Sequence, residues 1–142
     1  MSSIQKLTVT GYFSNLAQIA DFVTQAATQA GLDDKGCYAV QMAVDEACAN
    51  IIEHAYGGEG EGKIQLNCQV QAEGLQVTIS DRGIPFDPEQ IPELDTKAPL
   101  TERSRRGMGL FFIHKLMDRV EYKPNTSKGN QLILFKRRVQ NA

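Results

Sequence analysis

Apolar residues recur along this chain with two different periods, and the switches between them predict its elements. Ile4, Leu7 and Val9 mark a short β-like segment. Leu16, Ile19, Phe22, Val23, Ala26, Ala27 and Ala30 then follow at helical spacing, with Ser14 or Asn15 as the cap and Gly31 as the stop. Val40, Ala43, Val44, Ala47 and Ile51 form the stripe of a second helix, capped by Asp33 and running to about Tyr56, where Gly57-Gly58 ends it. The period next falls to two. Ile64, Leu66, Cys68 and Val70 alternate with Gln65, Asn67, Gln69 and Gln71, and after Glu73-Gly74 the residues Leu75, Val77 and Ile79 alternate again. Two such runs around a glycine turn predict an antiparallel hairpin with one covered face.

Residues 82–106 hold four of the five prolines and many charges, so they read as a long loop of the functional or mobile kind. Gly107 to Asp118 reads as a third helix, Val120 to Tyr122 starts a strand, and Leu132 to Val139 forms a last one after the turn Pro124 to Gly129. The order β-α-α-β-β-loop-α-β-β predicts an α/β (α+β) two-layer sandwich, with helices on one face of a mixed, mainly antiparallel sheet. A length of 142 residues suits one domain, and 42% hydrophobic residues suit an ordinary globular core.

Charge and cysteine usage narrow the function. A formal net charge of −2 gives no general attraction to nucleic acid or anionic membrane. No apolar run approaches the roughly 20 residues that span a bilayer, and Met1 to Thr10 lacks the apolar core of a signal peptide, so a cytoplasmic location is expected. Cys37, Cys48 and Cys68 are odd in number and lie far apart, which argues for buried reduced thiols over zinc ligation or disulfides.

Three short motifs carry chemistry. Glu46 and Asn50 are four apart on the second helix and share a face. A carboxylate there can take a proton from a nucleophile, and an amide oxygen suits Mg²⁺. Asp81-Arg-Gly83-Ile-Pro-Phe86 ends the hairpin's second strand; an Asp there can accept from an exocyclic amino group, and Gly83 lets backbone approach a flat ring. Arg106-Gly107-Met108-Gly109-Leu110 opens the third helix, where free N–H groups and the helix dipole favour an anion, and Arg103, Arg105 and Arg106 add charge suited to phosphate. Taken singly, each also reads as ordinary structure: a solvated helix face, a strand-ending turn, a hinge before a helix. No G-x-x-x-x-G-K-[ST] run occurs, which excludes a P-loop.

Taken in order, the three motifs make one nucleotide site. Asp45-Glu46-Ala-Cys-Ala-Asn50-Ile-Ile-Glu-His54-Ala-Tyr56, Asp81 to Pro88, and Arg106 to Asp118 resemble the GHKL superfamily of gyrase, histidine-kinase and mismatch-repair ATPases. More closely the chain resembles the anti-sigma-factor serine/threonine kinases. The resemblance implies a single histidine-kinase-like ATP-binding domain over 1–142, with 82–106 as a mobile ATP lid, and ATP and Mg²⁺ as cofactors. It also implies site roles. Glu46 is the expected general base and Asn50 the Mg²⁺ ligand. Asp81 is the expected adenine contact, with Gly83 under the ring, and Phe86 is expected among the nucleotide-binding residues. Gly107, Met108 and Gly109 are expected at the phosphates, with Leu110 among the nucleotide-binding residues and Arg105 near the terminal phosphate; His54, one turn beyond Asn50 on the same face, also reads as packing against the loop. Where the family commonly has Gly-Thr-Thr before the last strand, with a threonine that helps bind the base, this chain has Gly129-Asn130-Gln131, so Asn130 is expected to take that part.

The implied activity is transfer of phosphate from ATP to a serine of a STAS-domain anti-anti-sigma protein, with a sigma factor as second partner and a homodimer as the assembly. Two other readings stand beside it. One is a nucleotide-binding partner-switching regulator that is not a kinase; Glu46 argues against it and Asn130 weakly for it. The other is a detached histidine-kinase catalytic domain, for which no dimerisation helix pair is encoded.

Overall fold

The computed structural model describes residues 4–85 and 112–139, and its architecture follows from which strand faces are apolar. Strand β1 (Ile4–Thr10) leads through a 3₁₀ turn at Phe13–Asn15 into helix α1 (Leu16–Gln29) and helix α2 (Asp34–Asn50). Strands β2 (Lys63–Gln71), β3 (Gly74–Asp81), β4 (Arg119–Thr126) and β5 (Gly129–Arg137) complete a five-stranded sheet in the order β1-β2-β3-β5-β4. Every described ladder is antiparallel, so the mixed sheet expected from the sequence is antiparallel throughout its described part. Residues 112–116 are helical, which bears out the described part of the expected third helix.

Period-two alternation decides the inner face. Ile64, Leu66 and Cys68 of β2, Leu75, Val77 and Ile79 of β3, and Leu132 and Leu134 of β5 all point to one side and are buried. In register, Leu66 sits beside Ile79, Val77 beside Leu134, and Val120 of β4 beside Leu134. Ile19, Val23, Ala26 and Ala27 of α1 and Val40, Ala43, Val44 and Ala47 of α2 close over this face, with Ile113 and Met117 at its far side. The small residues on the α2 stripe let its backbone lie close to the sheet. The outer face carries Gln65, Asn67, Gln69, Gln76 and Thr78, which fits a sheet covered on one side.

Leu134 is fully buried at the centre of this core. Leu134→Ala should lower unfolding stability by about 2–5 kcal/mol. Urea unfolding followed by circular dichroism checks it, and a loss below this range would mean that the neighbouring side chains collapse into the space.

Caps and turns depart from expectation in instructive ways. Asp33 caps α2 as expected, its Oδ1 accepting from Gly36 N–H at 2.8 Å. Asn15 stands at the α1 N-terminus but makes no side-chain cap; its amide donates back to the Thr10 carbonyl at 2.7 Å instead, and the 3₁₀ turn provides the lead-in. The last hairpin is tighter than predicted. Thr126 pairs directly with Gly129, so β4 extends through Pro124, which an edge strand tolerates because its N–H side need not pair. A register shift between Lys123 and Thr126 absorbs the proline, and Asn125 within it takes a left-handed φ of 56°.

Helix α2 does not run unbroken to Tyr56. It gives way at Ile51–Ala55 to a π-helical turn, in which Tyr56 N–H reaches back to the Ile51 carbonyl at 2.9 Å. The change matters because this turn meets the strand that carries Asp81.

Candidate functional site

The site is built where the C-terminal end of α2 faces the C-terminal end of β3. Glu46 and Asn50 lie one helical turn apart on α2, both half-buried. Among the described residues, neither side chain makes a hydrogen bond or ion pair with the protein.

The π turn clamps the end of β3 to this helix. Inserting the wider turn brings the Ala55 carbonyl out to accept the Ile84 N–H at 2.8 Å. Tyr56, which ends the turn, accepts the Arg82 N–H on its hydroxyl at 2.9 Å and donates to the Lys63 carbonyl at 2.5 Å. Burial pushes the Tyr56 hydroxyl above the ordinary tyrosine range, opposed by the hydrogen bond from Arg82. Backbone at Arg82 and Ile84 is thus pinned on either side of Gly83. A Cβ at Gly83 would lie 2.4 Å from the Ala55 carbonyl oxygen, so only glycine lets the two segments meet.

Asp81 sits at the centre of what this clamp holds. It is only 7% exposed, and its Oδ1 accepts from Gly83 N–H at 2.9 Å and from Asn130 Nδ2 at 3.1 Å. Its Oδ2 has no hydrogen-bond partner among the described residues. Its charge is felt across the interface: burial pushes the Cys48 thiol of α2 well above the usual thiol range, and the Asp45 and Asp81 carboxylates push it further. Burial likewise holds the Asp45 carboxyl above its ordinary value.

Asn130 is the neighbour of Asp81 across the β3–β5 ladder and is 3% exposed. Its Nδ2 donates to Asp81 Oδ1 and, at 2.9 Å, to the Gly83 carbonyl; its Oδ1 accepts the Asn125 N–H at 3.0 Å. Both amide protons are spent within the protein. Gly129 opens the way for this pairing, since at φ +91° a Cβ there would lie 2.3 Å from the Asp81 carbonyl oxygen. A polar hollow beside these residues is lined by Arg82, Gly83, Asn125, Thr126, Gly129 and Asn130.

The structure therefore brings Asp81, Gly83 and Asn130 together, and Cys48, on α2 between Glu46 and Asn50, lies near enough to feel the Asp81 charge. His54 lies on the π turn, half-buried, with Nε2 3.6 Å from Glu53 Oε2. Phe86, Arg105, Gly107, Met108, Gly109 and Leu110, and most of the expected lid 82–106, lie outside the described residues. Sequence reasoning missed Tyr56 and Ala55 as supports of the site. Only the tyrosine that closes the helix pattern hinted at them. The three thiols are free, with Cys48 and Cys68 buried and Cys37 half-buried, as expected; burial pushes the Cys68 thiol up to about 12.

ATP and Mg²⁺ can be tested against these side chains. An acceptor-only carboxylate oxygen beside an open glycine backbone suits the amino edge of an adenine ring. Among the described residues no cluster of three or more His, Cys, Asp or Glu could hold a metal unaided. One amide oxygen at Asn50 suits Mg²⁺, which takes most of its other ligands from water and phosphate.

A two-layer α+β domain with an acidic residue at the end of a central strand and a carboxylate–amide pair on the facing helix has the fold of the histidine-kinase-like ATPases. Residues 13–136 match the family model described as the histidine kinase-like ATPase domain, and the chain belongs to that family. It is similar to the serine-protein kinase RsbW of Halalkalibacterium halodurans, at 34% identity over 91 residues, covering 61% of this chain and 55% of that protein. It is also similar to the RsbW of Listeria monocytogenes, at 33% identity over 99 residues, covering 67% and 63%. The chain thus spans between about half and two thirds of these relatives' length. In the solved structure of the RsbU and RsbW domains of a Mycobacterium tuberculosis protein, the same fold recurs with a TM-score of 0.66 at 15% identity, over 99% of this chain and 34% of that one.

Proposed function

We propose that the chain is an ATP-dependent protein serine/threonine kinase of the anti-sigma type. It phosphorylates a serine of a STAS-domain anti-anti-sigma protein and holds a sigma factor inactive, working in the cytoplasm as a homodimer. The observation that carries this reading is the pairing of Glu46 with Asn50 on one face of α2, neither bonded to another described residue, on the helix whose Cys48 feels the charge of the buried Asp81 carboxylate. The similarity to proteins named serine-protein kinases supports it.

Each residue then has a task. Asp81 Oδ2 accepts from the adenine amino group, and Gly83 leaves room for the ring. The Asn50 amide oxygen would hold Mg²⁺. Glu46 would take the proton of the acceptor serine as its oxygen bonds to the γ-phosphorus, the bond to the bridging oxygen breaks and ADP leaves. Arg105 and the backbone of Gly107, Met108, Gly109 and Leu110 would steady the phosphates. Bound Mg²⁺-ATP supplies the phosphoryl group and the charge that neutralises it. A pure binder has no use for a carboxylate at position 46. A protein acceptor, as opposed to a small one, is favoured by Tyr38 and Met42, which lie exposed on α2 at the same helical spacing that leads to Glu46.

Among the described residues no helix is long and apolar enough to cross a membrane. The test is phosphate transfer from radiolabelled ATP to STAS-domain proteins of the same genome, with hydrolysis of the product to identify the phosphorylated side chain. Phosphoserine on one of them establishes the kinase and identifies its partner. Binding of ATP without transfer to any of them makes the chain a nucleotide-dependent switch.

A further inference from the structure

We infer that Asn130 is a positioning residue that sets nucleotide selectivity through Asp81, and that it makes no contact with the base itself. The inference rests on the reading above that Asp81 recognises an adenine amino group.

The geometry is specific. Asn130 Nδ2 has two protons, and they go to Asp81 Oδ1 at 3.1 Å and to the Gly83 carbonyl at 2.9 Å. The Gly83 N–H gives a second donor to the same Oδ1 at 2.9 Å. Two donors on Oδ1 fix the carboxylate plane and leave Oδ2 turned to whatever meets it. An acceptor at that place admits an amino group on the six-position of a purine and opposes an oxo group. Asn130 is itself held, because its Oδ1 accepts the N–H of Asn125, the one described non-glycine residue with left-handed φ. One side chain therefore ties the end of β3, the segment after it and the bulge of β4 around the carboxylate that meets the ligand. It has no proton left to offer a base.

The experiment measures binding of ATP and of inosine triphosphate, its six-oxo analogue, to the wild-type chain and to Asn130→Asp, Asn130→Thr and Asp81→Asn. Circular dichroism confirms the fold of each. Wild type should prefer ATP by roughly 10- to 100-fold. Asn130→Asp keeps the shape but sets a carboxylate against Asp81 Oδ1, and like charges at that distance raise the pKa of one of them. The groups that feel the Asp81 charge are Cys48 of α2, which Asp45 also reaches, and Tyr56 of the π turn, with Arg82 beside it.

Above the raised pKa both acids are charged, and the preference for ATP should shrink at least several-fold. As the pH is lowered and one proton comes to be shared between them, it should recover in part. Asn130→Thr keeps one donor and should retain most of the preference. An Asn130→Asp chain that discriminates like wild type at every pH, or that loses ATP and the analogue equally, overturns the role given to Asn130 while leaving Asp81 in place. Wild type that binds both nucleotides alike, with Asp81→Asn no different, overturns the Asp81 reading and this inference with it.

Discussion

Glu46→Ala should lower phosphate transfer by roughly 10²- to 10⁴-fold, the usual contribution of a positioned general base. Nucleotide affinity and unfolding stability should barely move. The reason for the separation lies in the surroundings of the side chain. Glu46 is half-buried on α2 yet has no hydrogen bond or ion pair among the described residues, so its removal leaves no partner stranded. The apolar stripe of α2, Val40, Ala43, Val44 and Ala47, lies on another face and stays packed. A surface-like substitution of this kind changes stability by about 0.5 kcal/mol or less. Rates of transfer, nucleotide titration and a urea melt on the same preparation decide the matter. Glu46→Gln, which keeps the shape and loses the base, should match the alanine variant. Transfer at the wild-type rate in either one would mean that the proton leaves by another route, and the base would have to be sought outside the described residues.

How far the sequence carried the fold depends on the range over which each signal acts. The α2 stripe and the β2–β3 alternation are local, and both were readable with their faces assigned correctly. The Asp33 cap was readable for the same reason, since its bond to Gly36 N–H spans one turn. Where Asn15 was expected to do likewise, a competing acceptor at Thr10, brought close only by the 3₁₀ turn, took its amide. The π turn was invisible because α and π turns place apolar residues at nearly the same spacing over five residues. Only the bond from Tyr56 N–H to the Ile51 carbonyl tells them apart.

The site shows the same division. Glu46 with Asn50 is a helix-spacing argument and needed no structure. Asp81 and Gly83 were legible as residue types, but for Gly83 the reason given was a ligand, and the folded chain supplies another in the Ala55 carbonyl. Asn130 meets Asp81 across 49 residues of sequence, so no local pattern could predict that its two amide protons are already committed. The resemblance to the family implied an amide near the base. Pairing of β3 with β5 determines what that amide touches.

Gly83→Ala should destabilise the fold by about 1–3 kcal/mol, the range for forcing a group into filled space. It should also weaken ATP binding at least tenfold by the same displacement. The effect is steric, since Gly83 does not have a left-handed φ and alanine could adopt its conformation freely. The obstacle is the Ala55 carbonyl oxygen, 2.4 Å from where the new Cβ would lie, with the Ala55 Cβ at 2.8 Å. Backbone oxygen cannot rotate away, so the segment 82–84 must move off the π turn. That movement would break the Ile84 N–H bond to Ala55 and carry the Gly83 N–H and carbonyl away from Asp81 and Asn130.

Two controls isolate the cause. Ala55→Gly in the same chain removes the side-chain contact but not the carbonyl, so it should restore little. Gly57→Ala, where φ is +74° and nothing lies within 4 Å, should cost only the backbone strain of about 1–2 kcal/mol and leave nucleotide binding intact. Were Ala55→Gly to rescue Gly83→Ala fully, the contact that matters would be between side chains, and the π turn would be a neighbour of the site but not its anchor. If instead the carbonyl governs, α2 and the end of β3 move as one piece. Glu46, Asn50 and Asp81 then keep their spacing because the contacts of Ala55 and Tyr56 with residues 82–84 hold it.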